Sequence, residues 1–136
     1  MDFLKSIAIA ASGLRAQAGR MRVIAENIAN ADSTAPTPEA EPYRRKVATF
    51  RSEVDRTINA RLVMLGGVRS DPSEFRLKHE PGHPSADPNG NVKYPNVNSL
   101  VEMTDMREAQ RSYEANINVI GASRRMIQRT IEILKS

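Results

Sequence analysis

The chain has 136 residues, a length for one modest domain, and combines 40% hydrophobic residues with only 4% aromatics and no Trp, so a large ring-filled core is excluded. Its net charge of +4 is spread among mixed signs, as in Arg51, Glu53, Asp55 and Arg56, which is not the concentrated basic stripe of a nucleic-acid reader. The absence of Cys excludes disulfides, thiol nucleophiles and thiolate metal sites, and no run approaches the roughly 18 apolar residues of a membrane span.

The first predicted element is a long helix from Asp2 to about Ala31. Leu4, Ile7, Ala11, Leu14, Ala18, Met21, Ala25 and Ile28 alternate spacings of three and four, a heptad pattern. Asp2 is positioned to cap the helix, and Asn30 and Asp32 stand where the pattern stops. The short apolar run Ile7 to Ala11 is preceded by Asp2 and followed by Arg15, Arg20 and Arg22 within the same period, so a cleaved secretion signal is not expected.

Residues 33–97 hold all eight prolines, which disfavour helix. Between the proline clusters, Val47, Phe50, Val54, Ile58 and Leu62 fit either a helix or a strand. Gly66-Gly67 predicts a turn, and Asn89-Gly90 predicts a type I′ hairpin. A small β element between extended loops is expected.

A second long helix is predicted from Ser99 to about Leu134, with Ser99 and Glu102 at capping-box spacing. Met106, Tyr113, Ile120, Ile127 and Leu134 repeat every seven residues. Met103, Gln110, Ile117, Arg124 and Ile131 fill the other row of the expected seam. Each helix carries a further apolar row, Ile9, Ala16 and Val23 in the first and Val119, Met126 and Ile133 in the last. A two-helix hairpin has one mutual seam, so these rows predict contacts with other subunits.

No chemistry-bearing constellation emerges. His79 and His83 stand four apart, but Pro81, Gly82 and Pro84 prevent a helix from presenting both, so no metal is expected. No nucleophile elbow or phosphate-binding glycine motif is present. The run Arg44-Arg45-Lys46 reads as a solvated strand or a protein interface with acidic partners. No catalytic residue and no cofactor are expected.

Asn27-Ile28-Ala29-Asn30-Ala31 resembles the asparagine-rich signature of flagellar axial proteins. Thr37-Pro38-Glu39 with Pro42-Tyr43-Arg44-Arg45-Lys46, Pro81-Gly82-His83-Pro84, Pro95-Asn96-Val97-Asn98 and Arg111-Ser112-Tyr113-Glu114-Ala115-Asn116 narrow the likeness to FlgC-type proximal rod subunits. Ala40-Glu41 and Asn91 depart from the usual pattern of that family. The resemblance implies a structural subunit of the flagellar basal-body rod, located in the periplasmic rod that transmits torque. It also implies export by the flagellar type III apparatus and, as partners, further copies of itself and other rod and basal-body components. A cytoplasmic coiled-coil adaptor or export chaperone is the alternative.

The expected architecture is mainly α: long N- and C-terminal helices paired as a coiled-coil-like hairpin, with a small β-containing, Pro-rich middle. Residues 1–32 and 98–136 are the assembly helices of one domain, and residues 33–97 are the middle segment. The expected assembly interface comprises Leu4, Ile7, Leu14, Met21, Asn27, Ile28, Asn30, Met103, Met106, Tyr113, Asn116, Ile117, Val119, Ile120, Met126, Ile127, Ile131, Ile133 and Leu134. Neither nucleic acid nor membrane insertion belongs to this reading.

Overall fold

The computed structural model describes residues 2–136. Helix α1 (Phe3–Ala29) is followed by strands β1 (Lys46–Asp55), β2 (Ala60–Ser70), β3 (Arg76–His79) and β4 (Asn91–Tyr94), and then by helix α2 (Ser99–Lys135). β1 pairs with β2, and β3 pairs antiparallel with β4 in the register Arg76↔Tyr94 to His79↔Asn91. The chain divides into two compact units. One comprises residues 1–21, 49–67 and 107–136, and the other residues 22–48 and 68–106.

The described residues are 47% helical and 21% strand, so the expectation of a mainly α fold is corrected to a mixed one. The two long helices are present, but the coiled-coil-like seam is not. α2 turns Glu102, Ala109, Asn116 and Ser123 inward beside the half-buried Met106, Tyr113, Ile120 and Ile127. The row expected to complete the seam, Met103, Gln110, Ile117, Arg124 and Ile131, is exposed throughout. The inward row is small or polar, which allows close approach rather than interdigitation of large apolar side chains.

In the first unit this closeness is visible at Gly13, where an added Cβ would lie 2.9 Å from the Asn116 amide nitrogen. Arg20 pairs with Glu108 at 3.6 Å along the same contact. Strand β2 packs against an adjacent side of α1. Ser12 Oγ donates to the Ile9 carbonyl (2.7 Å) and accepts from the Val63 amide (3.1 Å), and Gly19 makes room for Leu65. Ala16, expected to face other subunits, is buried beside Leu62 to Leu65. Its row is thus covered within the chain, although Ile9 stays exposed.

The segment 46–55, open to helix or strand by its sequence, is strand. Its turn lies at Asp55–Ala60 and not at Gly66-Gly67. Asp55 Oδ1 accepts from Thr57 N at 2.9 Å, and Asn59 takes a positive φ of 51°, which Asn tolerates better than most residues. Gly66 and Gly67 lie inside β2, where they admit Thr49. Its Oγ1 accepts from Gly67 N (3.1 Å) and donates to Gly67 O (2.8 Å), and a Cβ on Gly66 would sit 3.1 Å from it.

In the second unit the Asn89-Gly90 expectation is also corrected. β3 and β4 are joined by residues 80–90 and not by a two-residue turn. Asp87 organises the return: its Oδ1 accepts from the amides of Asn89 and Asn91 at 2.9 Å. Only Gly90 has the left-handed φ, +83°, whereas a type I′ turn requires both central residues there. A Cβ on Gly90 would stand 2.8 Å from His79 Cε1. Gly90→Ala is therefore expected to destabilise the chain by about 2 kcal/mol, combining left-handed strain with displacement of His79. Thermal unfolding of the purified variant, with a melting point several degrees lower, is the check.

Candidate functional site

The most heavily bonded part of the molecule is a polar junction in the second unit. Glu102, on the first turns of α2, is 0% exposed. Its spacing from Ser99 predicts a capping box, but the cap is Asn98, whose Oδ1 accepts from the Leu100 amide at 3.1 Å and whose carbonyl accepts from Glu102 N at 3.0 Å. The Glu102 carboxylate is thereby free to turn inward. Oε1 accepts a short hydrogen bond from Arg45 Nε, and Oε2 accepts from Asn27 Nδ2 at 3.3 Å.

Asn27, 1% exposed, uses both ends of its amide. Nδ2 also donates to the Lys46 carbonyl (2.8 Å), while Oδ1 accepts from Lys46 N (3.0 Å) and from the Tyr43 hydroxyl (2.7 Å). One side chain thus pairs like a strand with the start of β1 while also holding α2. No apolar residue and no longer Gln reproduces that set of contacts at this depth. Asn30 instead terminates α1, its Nδ2 donating to the Glu26 carbonyl at 2.9 Å and its Oδ1 accepting from Ser33 Oγ at 3.1 Å.

The basic run is consumed inside the fold. Arg45 pairs with Glu102, with Asp71 at 3.2 Å and with Asp105 at 3.7 Å. Arg44 lies 4.2 Å from the Phe75 ring centroid and donates to the carbonyls of Asp71 and Ser73. Lys46 pairs with Glu26 at 2.6 Å. The sequence expectation of a solvated strand or an outward interface is corrected accordingly. Asn96 joins the same network, accepting from Arg45 N (2.7 Å) and donating to the Asp71 carbonyl (3.1 Å).

The electrostatics follow from these contacts. The hydrogen bond to Glu102 holds the Arg45 guanidinium above its ordinary pKa. The Ser73 amide and hydroxyl hold the Asp71 carboxyl below its ordinary value. Burial, reinforced by the charges of Glu26 and Glu102, pushes the Tyr43 phenol up to about 12. Nothing here resembles a reactive centre. The donors and acceptors satisfy one another, and among the described residues no group of three or more His, Asp or Glu is placed to hold a metal.

The residues expected at an assembly interface separate into distinct environments. Asn27 is inside the junction. Ile7, Leu14, Met21, Ile28 and Asn30 on the N-terminal side are half-buried, as are Met106, Tyr113, Asn116, Ile120 and Ile127 on α2. Leu4, Met103, Ile117, Val119, Met126, Ile131, Ile133 and Leu134 are exposed, Ile133 at 72% and Leu134 at 81%. Sequence reasoning did not identify Glu102, Arg45, Asp71 and Tyr43 as one cluster, because no periodicity links Arg45 to partners 26 and 57 residues away. The adjacent asparagines of the Pro95-Asn96-Val97-Asn98 motif were the available signal, since each fixes a backbone end.

Glu102→Ala leaves Arg45 and Asn27 without their buried partner and is expected to cost about 3 kcal/mol, read from urea unfolding. A second expected outcome concerns Tyr43, which ionises near pH 10 when unfolded and near 12 when folded. Its contribution is complete below about pH 10 and is lost as pH rises through about 12. Tyr94, which donates to Glu80, is also held above its ordinary value, so with no Trp to interfere, tyrosinate absorbance should lose one of its late-titrating groups in Tyr43→Phe.

Comparison with known proteins agrees with the sequence resemblance. Residues 7–35 match the family described as flagella basal body rod protein, and residues 89–133 match the flagellar basal body rod FlgEFG protein C-terminal family. The chain is 51% identical over 128 residues to the flagellar basal-body rod protein FlgC of Agrobacterium fabrum, covering 94% of this chain and 92% of that protein. It is 38% identical to the Salmonella typhimurium FlgC, with 98% of each chain covered. It is 34% identical to that of Bacillus subtilis, covering 99% of this chain and 100% of the relative. The asparagines, the basic run and the exposed α2 rows therefore sit in a chain that belongs to the FlgC family of flagellar basal-body rod proteins.

Proposed function

We infer that this structural subunit of the flagellar basal-body rod enters the rod through both flanks of α2. The observation that carries this reading is the pair of apolar rows left uncovered in the first unit. Val119, Met126 and Ile133 form one, and Ile117 and Ile131 the other. At about 100° per residue, Val119 and Ile117 point about 160° apart around the helix. One partner cannot cover both flanks. Two different contacts are required, and contacts of that heterologous kind propagate into rings or helical arrays rather than closing as a dimer.

Copies of this chain and other rod components are the neighbours of this reading, and torque passes along the packed helices of adjacent subunits. Export by the flagellar type III apparatus precedes assembly. Among the described residues there is no helix long and apolar enough to cross a membrane.

The decisive variant is Met126→Lys. Its side chain is half exposed in the chain itself, so circular dichroism of the purified variant should match the wild type. An ammonium placed in an apolar contact without a partner is strongly unfavourable. Incorporation into isolated basal bodies should therefore fall to background, with loss of motility. Normal incorporation would refute the flank as an interface.

A further inference from the structure

The loop that joins β3 to β4, residues 80–90, is closed by an imidazole whose protonation state the backbone dictates. His83 Nδ1 stands 3.1 Å from the Ser85 amide nitrogen and 2.8 Å from Ser85 Oγ. A backbone N–H only donates, so Nδ1 accepts from it and carries no proton. That amide has no second partner among the described residues. Ser85 is 6% exposed and lines a small cavity with Asp87, Ala35, Thr37, Pro38 and Ala40. His79, the only other histidine, differs. Its Nδ1 meets Asn91 Oδ1 at 3.3 Å, a contact to which a protonated ring still donates.

We propose that His83 is a pH-sensitive latch on this loop, closed while its imidazole is neutral and released when the ring gains a second proton. Protonation sets an N–H on Nδ1 against the Ser85 N–H. The Ser85 hydroxyl can turn to accept from it, but the amide cannot, and a buried amide left without an acceptor is strongly penalised. No neighbouring carboxylate is placed to offset that loss. Tyr94, on β4, has its ring centroid 6.5 Å from that of His83 and donates to Glu80 Oε1 at 2.7 Å. On β3, the Lys78 ammonium lies 4.5 Å and the Arg76 guanidinium 5.9 Å from the Tyr94 ring, and Arg76 holds Asp32 at 3.6 Å. Asp87 Oδ1 is occupied by the amides of Asn89 and Asn91. Of the cavity's lining, only Asp87 and Lys93 are charged, since residues 35–40 contribute Ala, Thr and Pro there. His83 itself forms no ion pair among the described residues.

The sign follows from the neutral form being the bonded one. The contact is complete above the ordinary histidine value of about 6.5 and is lost as pH falls below it. Ser85 anchors the middle of the loop, so its release loosens the exposed Pro81, Pro84 and Pro88 around it. The surface of the second unit therefore changes with pH. Its polar junction does not, because Arg45 is held above and Asp71 below their ordinary values, and both keep their charge through this range.

The test is an NMR titration of the purified full-length chain from about pH 8 to about pH 5, the range in which histidine changes charge. It compares the wild type with His83→Asn and His79→Asn. The amide oxygen of the first variant can accept from Ser85 as Nδ1 does, and it has no proton to gain. At about pH 8 the His83 ring should carry its proton on Nε2. Corrected for the intrinsic pH dependence of exchange, protection of the Ser85 amide should fall about tenfold across the titration in the wild type and in His79→Asn. In His83→Asn it should hold. A proton on Nδ1 at about pH 8, or equal Ser85 protection at both ends of the wild-type titration, would overturn the proposal. The same fall in His83→Asn, or none in His79→Asn, would do so too. Tautomer and titration are both read in the wild type itself, so a variant that fails to fold leaves the test intact.

Discussion

A single carboxylate removed from water organises the second unit. Glu102 has no access to solvent, and Arg45 and Asn27 take its two oxygens. Breaking such a pair costs more than forming it contributes, because the surviving partner stays buried and unsatisfied. The contact is therefore a strong constraint on geometry even where its net stabilisation is small. It fixes the start of α2 against β1 and, through the Asn27 amide, fixes α1 against both. Asn96 and Asp71 extend the same constraint to the segment after β2.

The first unit is built on the opposite principle. Ala10, Ser12, Ala16, Ala60, Ala109 and Ser123 are its most buried side chains. Small residues permit close backbone approach but remove little apolar surface from water, at ~25 cal/mol per Å². Larger apolar residues, Leu134, Ile133, Met126 and Phe50 among them, lie on the surface of this unit. For a unit that buries alanine and exposes isoleucine, any partner that covered those residues would add to its stability by mass action.

The helices were legible because heptad spacing over many residues is a strong, local signal, and their ends fell within two residues of the expected positions. The outward row Val119, Met126 and Ile133 was equally legible. What the apolar pattern did not offer was the row that faces α1 beside Met106, Tyr113, Ile120 and Ile127, because Glu102, Ala109, Asn116 and Ser123 are small or polar and stood in none of the candidate rows. The answer turned on Glu102, which local spacing assigns to a cap while a guanidinium distant in the chain draws it inward. The basic run was misread for the same reason, since its acid partners come from three other segments. Gly66-Gly67 shows another limit. Paired glycines mark a turn when nothing else is known, but here they make room for a threonine that bonds across the strands. The family resemblance drew attention to Asn27 and Asn30 without disclosing that Asn27 works inside the chain.

The junction joins positions that are far apart in sequence: Asn27 meets Glu102 across 75 residues, and Arg45 meets it across 57. Closing loops of that size is paid for in chain entropy before any contact rewards it, which slows folding. During synthesis the first hundred residues appear before their organising carboxylate exists. Asn27 and Arg45 remain hydrated, the start of β1 has no fixed neighbour, and the proline-rich segments between them have nothing to lock against. Until α2 is available the junction lacks its central carboxylate, so these contacts wait on the last third of the chain.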